Sequence, residues 1–508
     1  MAFPRPKKKH APPPWRNLPP REDPLARTDE VSRPHPQGTV IALVGILATG
    51  LMMTGKLPSE VARFAAIGTG VSLAASAFMD LKLGFKNLIR ADLMAILAFY
   101  FLTLFEFLFP QQTFDTMIGP RLTHESLVVV LVGFAGLLIG RHMLKARGQP
   151  FADTLNREVP AAWLIVVFWV CFSVGYIHMF LAVNFDIVEM IEYFMAPRFS
   201  QPWQRGKFGD WKALLVELGL FIYLVPPLAG IMLARRKRYP FFQLVLVTAA
   251  LLFTFFYGFA GGTRNVFAAY LITFLIGYAF ALAPGRRKEL IILSAASAVI
   301  MLAATVFMLQ FRSVGFKNFL IGNYEHHESK EQVMFVDYNL YAIGKLVEVF
   351  PKYRPYLGLE VPYLALIRPI PRAVWPGKPE GLSASIEDAL GVEGLTIAAS
   401  FAGEAYMAGG SMAVFLIAIF FGAITGWWSY LSSSRNSELG ILIYASGFFA
   451  AVISMRSLFV FTTALMPTVA AIMIGTYSVR KLAAKARQWG NRRAMTRPLP
   501  RPPRQPVS

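Results

Sequence analysis

The chain is 508 residues long, 55% hydrophobic and only 16% charged, with a mean hydropathy of +0.48 and a formal net charge of +20. Soluble domains carry about 25% charged residues, so this composition excludes a cytosolic enzyme, a disordered chain and a secreted disulfide scaffold. The single cysteine, Cys171, lies within an apolar run and has no second thiol to bridge. An apolar chain this basic must keep its charge apart from its apolar segments, which points to one polytopic, all-α integral membrane domain.

Residues 1–38 hold ten prolines, eight Lys/Arg and four acids. Such a segment has too little apolar surface to fold, and it reads as a disordered cytoplasmic tail that is retained. A spanning helix needs about 20 mainly apolar residues. Runs near that length follow at 40–54, 61–79, 91–110, 127–144, 159–183 and 213–234. Six more fall at 241–260, 266–283, 289–311, 410–428, 439–455 and 458–477, the tenth of the twelve beginning as early as residue 398. Pro226–Pro227 should kink the sixth span, because proline removes a backbone donor and clashes with the preceding turn. The membrane domain thus covers 39–478, followed by a basic tail at 479–508.

Lys and Arg are unevenly shared between alternate connections. The set that includes both tails holds 32 of the 50, and the opposite set holds 17 although it contains the two long loops, 184–212 and 312–398. By the positive-inside rule both termini are cytoplasmic and the long loops lie outside. The tails alone supply +13, a charge suited to topology and to anionic lipid rather than to nucleic acid. The 87-residue loop is nearly neutral, with nine basic and ten acidic residues. Within it, residues 338–353 place Leu340, Ile343, Val347 and Phe350 on one helical face, which suggests a helix lying along the membrane interface.

No P-loop, GxGxxG, GxSxG, HExxH or CxxC motif is present, and His326–His327 are adjacent rather than at helical ligand spacing. Neither a metal nor a cofactor is therefore expected. Ionisable residues gather instead at the outer ends of the spans: Glu106, Glu217, Glu404, Arg264 after Gly261–Gly262, Arg312 and Arg456. Such groups at membrane depth are costly and usually face a cavity or one another, although any one of them could be snorkelling to the interface. Several arginines in one chamber suit phosphate, since guanidinium forms bidentate charge-assisted bonds. Nearby glutamates suit proton acceptance from hydroxyls. In the long loop, residues 367–379 contain four prolines, which predicts a stiff extended strap presenting Arg368, Arg372 and Lys378, with Trp375 as a plate for a sugar ring. The same prolines also fit a rigid strap that only packs the loop onto the membrane surface. Residues 400–410 surround Glu404 and Tyr406 with small residues, which admit either a ligand or a neighbouring helix.

The motifs Gly-Gly-Thr-Arg-Asn at 261–265, Pro-Arg-Ala-Val-Trp-Pro-Gly-Lys-Pro at 371–379 and Gly-Glu-Ala-Tyr-Met-Ala-Gly-Gly at 403–410 resemble those of bacterial oligosaccharide repeat-unit polymerases, the Wzy-type O-antigen and exopolysaccharide polymerases. The likeness extends over roughly residues 40 to 478. The family's Arg-X10-Gly pattern is matched by Arg198 and Gly209 in the first long loop. In the second loop none of Arg312, Arg354, Arg368 or Arg372 has a glycine eleven positions on.

The resemblance implies an inner-membrane glycosyltransferase with its active site facing the periplasm. It would pass a growing glycan from undecaprenyl diphosphate to the next lipid-linked repeat unit, with a chain-length regulator and a flippase as possible partners. On that reading Arg264, Arg312 and Arg372 meet the diphosphate, with Lys378, Arg198 and Arg368 supporting them. Glu404 is the base, Tyr406 and Arg456 position substrate, and Trp375 stacks on sugar. An O-antigen ligase is the related alternative. A lipid-linked oligosaccharide transporter is the alternative of another class, and would require related halves and broken helices with charges near the midplane. A purely structural membrane scaffold is the remaining reading, and it leaves the ionisable outer helix ends without a purpose.

Overall fold

The computed structural model describes residues 32–144, 159–197, 200–203, 212–283, 285–311, 314–322, 339–370, 374–379, 381–383, 399–431 and 437–495. Every regular element among the described residues is helical. In chain order they are α1 (Pro36–Met52), α2 (Pro58–Lys82), α3 (Ala91–Thr103), α4 (Pro120–Gly140), α5 (Ala161–Ala182), α6 (Ile187–Phe194), α7 (Lys212–Leu218), α8 (Val225–Ala234) and α9 (Phe241–Ala260). They continue as α10 (Arg264–Ala281), α11 (Arg287–Phe311), α12 (Phe316–Ile321), α13 (Asn339–Val349), α14 (Glu360–Ile367), α15 (Ser400–Leu431), α16 (Glu438–Ile453) and α17 (Leu458–Met495).

Among the described residues, nine helical segments are long and apolar enough to cross a membrane. The shorter apolar helices α1, α3 and α16 fall on three further runs expected from the sequence. Many apolar side chains point outward, among them Val44, Leu51, Val71, Leu252, Ile292 and Leu302, a surface suited to lipid and unsuited to water.

Three boundaries have specific physical causes. Ahead of Pro226–Pro227 the sixth segment is not continuous: α7 passes into a tighter 3-10 stretch, Gly219–Leu224, and α8 begins at Val225. The prolines sit in the first turn of α8, where their missing N–H costs nothing. The tenth segment starts at Ser400 but breaks at Gly409 (φ −179°, ψ 38°) and Gly410 (φ 66°, ψ −158°). The 20 residues from 410 to 429, after the break, are by themselves long enough for a bilayer. At the far end, α17 continues past the apolar run to Met495, into the stretch expected to be a tail; its Ala, Lys, Arg and Gln residues are strong helix formers.

Helices α4 and α15 form the closest seam. A Cβ on Gly136 would lie 2.7 Å from Phe415 O, one on Gly140 2.2 Å from Ile419 O, and one on Gly422 2.4 Å from Leu137 O. Paired small-xxx-small spacings on both helices let the backbones touch, the usual way for apolar helices to associate where water supplies no driving force. Around this seam a core forms from α1–α4 and α13–α15, including Phe99, Phe134, Leu346 and Phe401. A second core joins α5, α8–α10 and α16 through residues such as Phe168, Leu228, Phe280 and Tyr444.

One end of the bundle is held by charge. Arg90, just before α3, is 0% exposed. Its Nε donates to Asp92 Oδ1 at 3.0 Å, and its Nη2 donates to Asp80 Oδ2 and Asp92 Oδ2, both at 2.9 Å. Arg141, at the end of α4, donates to Thr39 of α1 and to Ser76 of α2. Ser429 of α15 donates to Asp92 at 2.8 Å. Five helices therefore meet on two arginines and two aspartates. Nearby, buried Glu438 at the start of α16 accepts from Arg235 at 2.6 Å and from Arg238, in keeping with the preference of a helix N-terminus for negative charge. We call this the ionic end, and the opposite one the loop end.

Candidate functional site

At the loop end, the first nine residues of α15 stand beyond the Gly409–Gly410 break and are anchored from two sides. The break deprives the carbonyls of Met407 and Ala408 of their partners four residues on. Loop residues replace them: Leu357 N donates to Met407 O at 2.8 Å and Gly358 N to Ala408 O at 2.9 Å. On the other side, Phe401 N donates to Met455 O at 3.1 Å, in the turn between α16 and α17.

Glu404 lies in this anchored stub and is 5% exposed. Its Oε1 accepts from Ser457 Oγ at 2.6 Å and its Oε2 from Leu458 N at 2.5 Å. A carboxylate so placed satisfies two donors at the start of α17 and favours that helix terminus electrostatically. Arg368, the exposed residue that closes α14, lies within electrostatic reach of the Glu404 carboxylate. Its guanidinium also sits 5.7 Å from the centroid of the Phe459 ring. Thr462 Oγ1 donates to Ala365 O at 2.5 Å, which fixes α14 against α17.

Lys378 Nζ donates to the carbonyls of Arg368 and Ile370, each at 2.9 Å. Residues 368–370 and 378, at the two ends of the expected straight strap, are therefore held together, with two of the three ammonium donors used on backbone carbonyls. Trp375 is half-buried, and its carbonyl accepts from Lys378 N at 3.2 Å.

Tyr406 is buried edge-on to Tyr356, with centroids 6.0 Å apart. Tyr356 stacks on Phe350 and lies against Gly410, where a Cβ would fall 2.7 Å from its hydroxyl. The expected helix at 338–353 is present as α13. Leu340, Ile343 and Phe350 are fully buried, Val347 packs beside them, and Ile118, Leu122 and Gly403 lie against the helix. Its apolar face thus meets protein where lipid was expected, because α4 and α15 present a ready apolar groove.

Glu404, Tyr406, Arg368 and the half-buried Arg456 thus lie on or beside the α15 stub and the 455–459 turn, and Lys378 is tied to the backbone of Arg368, with Trp375 three residues before it. Arg264 is the first residue of α10, after Gly262 (φ 62°), beside an aromatic cluster that includes Phe194, Trp203 and Tyr270. There the two long loops meet, with Lys317 N donating to Met195 O at 3.1 Å and Lys317 Nζ to Glu192 at 2.9 Å. Glu106 is buried in the 3-10 turn after α3, and Glu217 is half-buried in α7. Arg198, Arg312, Arg372 and His326–His327 lie outside the described residues. Among the described residues no three His, Cys, Asp or Glu side chains could hold a metal ion.

Two groups escaped the sequence reading. Ser457 and Tyr356 carry no motif. The ionic quartet did leave a signal in Arg90 and Asp92, which flank the first residue of an apolar helix. No family model, curated protein or solved structure matches the chain.

Proposed function

We propose that the chain is a membrane glycosyltransferase that polymerises undecaprenyl-diphosphate-linked repeat units into O-antigen or exopolysaccharide. On this reading it has twelve spans, cytoplasmic termini and a loop end that faces the periplasm. The observation that carries the proposal is the convergence of Glu404, Arg368, Lys378 and Arg456, which come from three separate stretches of sequence, around one anchored stub. Two of those stretches include 371–379 and 403–410, which are two of the three motifs that resemble the polymerase family.

The chemistry follows from those groups. The acceptor sugar's hydroxyl oxygen attacks the anomeric carbon of the donor glycan as the bond to the lipid diphosphate breaks. Glu404 receives the hydroxyl proton. Its oxygens accept from Ser457 Oγ and Leu458 N, and a carboxylate has about four lone-pair sites, so it can also take up a proton. Negative charge develops on the departing diphosphate, where the positive charges of Arg368, Arg456 and Lys378 stabilise it. Arg264, Arg312, Arg372 and Arg198 are assigned by resemblance to the same lipid diphosphate. Because the donor already carries its leaving group, the reaction needs no nucleotide, in keeping with the absence of a P-loop from the sequence.

The test is reconstitution of the purified chain in liposomes with a lipid-linked repeat unit. A ladder of oligomers formed without nucleotide or added metal is the expected product, and Arg368→Ala should abolish it. Transfer of glycan to a separate lipid acceptor without lengthening would make the protein a ligase. Movement of the intact lipid-linked unit between leaflets without bond formation would make it a transporter.

A further inference from the structure

A cavity of about 530 Å³ opens at the ionic end, between the entry to α1 and the ends of α4 and α15. Ser429 lies 19 positions beyond the break at Gly410 on α15, or roughly 28 Å of unbroken helix at 1.5 Å per residue, so this cavity is separate from the loop-end group. Its polar wall is formed by Arg33, His35, Arg141 and His142.

Among the described residues, three buried nitrogens in and beneath that wall have no hydrogen-bond partner: Arg141 Nη1, His35 Nδ1 and Arg90 Nη1. The Arg141 side chain is 1% exposed, and the nearby carboxylates leave its Nη1 unserved. Asp80 Oδ2 is 3.6 Å away and Asp92 Oδ2 3.9 Å away, both beyond hydrogen-bonding distance. Their oxygens are also committed to Arg90, to His35 N and to Ser429. Buried guanidinium donors are rarely left unpaired, so the missing component is an acceptor, and beside an arginine an anionic one binds best.

The rim shows what kind of molecule would carry that anion. Leu83 and Leu144 also border the cavity, and both face outward, at 39% and 50% exposure. They stand where α2 and α4 end, at the level of lipid headgroups for helices of this length. An apolar rim around a cationic wall fits a headgroup with its acyl chains attached, and basic pockets between helices at this level are a known form of lipid site. We propose that the cavity binds an anionic phosphate group, with the phosphate on Arg141 and His142, and that a lipid carries it, its first acyl carbons lying on Leu83 and Leu144. The site makes no use of the loop-end residues and stands apart from the glycosyl-transfer reading.

The experiment is native mass spectrometry of the full chain in detergent, titrated separately with dioleoylphosphatidic acid, dioleoylphosphatidylcholine and inorganic phosphate. Phosphatidic acid should bind at least about tenfold more tightly than phosphatidylcholine, the worth of one charge-assisted contact. Arg33→Ala combined with His142→Gln should remove most of that preference and leave phosphatidylcholine binding unchanged. This double variant keeps Arg90, Arg141, Asp80 and Asp92 in place but gives up the 2.7 Å contact between His142 Nε2 and Thr39 Oγ1, so its melting temperature is measured alongside to establish that it is folded. Arg141→Lys should weaken phosphatidic acid binding as well. Displacement of the lipid by inorganic phosphate at comparable concentration would keep the anion site and overturn the lipid as its occupant. Equal binding of the two lipids, or an undiminished preference in the folded double variant, would overturn the site itself.

Discussion

Replacing Glu404 separates what this residue does for the fold from what it does for the reaction. Its two oxygens accept from Ser457 Oγ and Leu458 N inside a nearly closed pocket. Hydrogen bonds to a charged acceptor contribute about 1.5–3 kcal/mol each, and those to a neutral one about 0.5–1.5 kcal/mol. Glu404→Gln keeps the shape and a carbonyl for Leu458 N, and its amide can donate to Ser457 Oγ. It should therefore cost about 1–3 kcal/mol. Glu404→Ala strands a backbone donor and opens a hole beside α17, so it should cost more, about 3 kcal/mol or above. The two variants are compared by thermal unfolding in detergent and by ladder formation in liposomes. Both should be inactive, while only the alanine variant melts well below the parent chain. If the glutamine variant polymerised at the parental rate, Glu404 would be a helix anchor alone and the proton-accepting role would be refuted. If it unfolded as readily as the alanine variant, the hydrogen-bond reasoning would fail instead.

Other expectations follow from the ionic end and from the broken helix. Arg90→Met leaves Asp80 and Asp92 buried with a weakened partner set, and breaking such a pair costs about 3–5 kcal/mol; an unchanged melting temperature would show that the quartet does not hold this end together. Gly410→Ala forces a side chain into a backbone conformation that is essentially glycine-only and against the Tyr356 hydroxyl, at a cost of about 1–3 kcal/mol. Gly409→Ala, at an extended φ with 3.4 Å to the nearest side chain, should be near neutral; equal melting temperatures for the two would remove the argument for a required break. Burial first, and Arg141 next, hold the His142 imidazole below its ordinary value. The unfolded chain therefore takes up this proton at a higher pH, near about 6.5, so the folded state loses stability as pH falls from there through the depressed folded value. Melting curves between pH 7.5 and 5.5 should show a smaller acid-side drop for His142→Gln than for the parent chain.

Much of the helical plan was written in local composition. Apolar runs long enough for a bilayer cannot fold otherwise in lipid, so their positions followed from counting residues, and Pro226–Pro227 marked an interruption because proline lacks the donor a continuous helix needs. Glu404 stood out because a carboxylate at membrane depth needs a reason to be there, and the structure gives it two hydrogen-bond donors. What was not legible depended on partners distant in sequence. The apolar face of α13 showed that something covers it, but only the assembled groove of α4 and α15 decided that protein does so and not lipid. Lys378 belonged to a proline-rich stretch that reads as extended, yet its ammonium found two carbonyls eight and ten residues back.

The sequence by itself determined that this is a helical protein with apolar segments suited to a membrane, where those segments lie and which connections hold most of its basic charge. Each of those properties is a sum over neighbouring residues and needs no knowledge of packing. Only the tertiary structure decided that Arg90, Asp92, Asp80 and Arg141 form one buried cluster, and that Arg368 lies by Phe459, next to the turn that holds Glu404, while Arg264 begins a helix beside another aromatic cluster. Those outcomes depend on which helix faces which, and that is set by the glycine seam of α4 with α15 and by loop residues that fill the carbonyls freed at Gly409–Gly410.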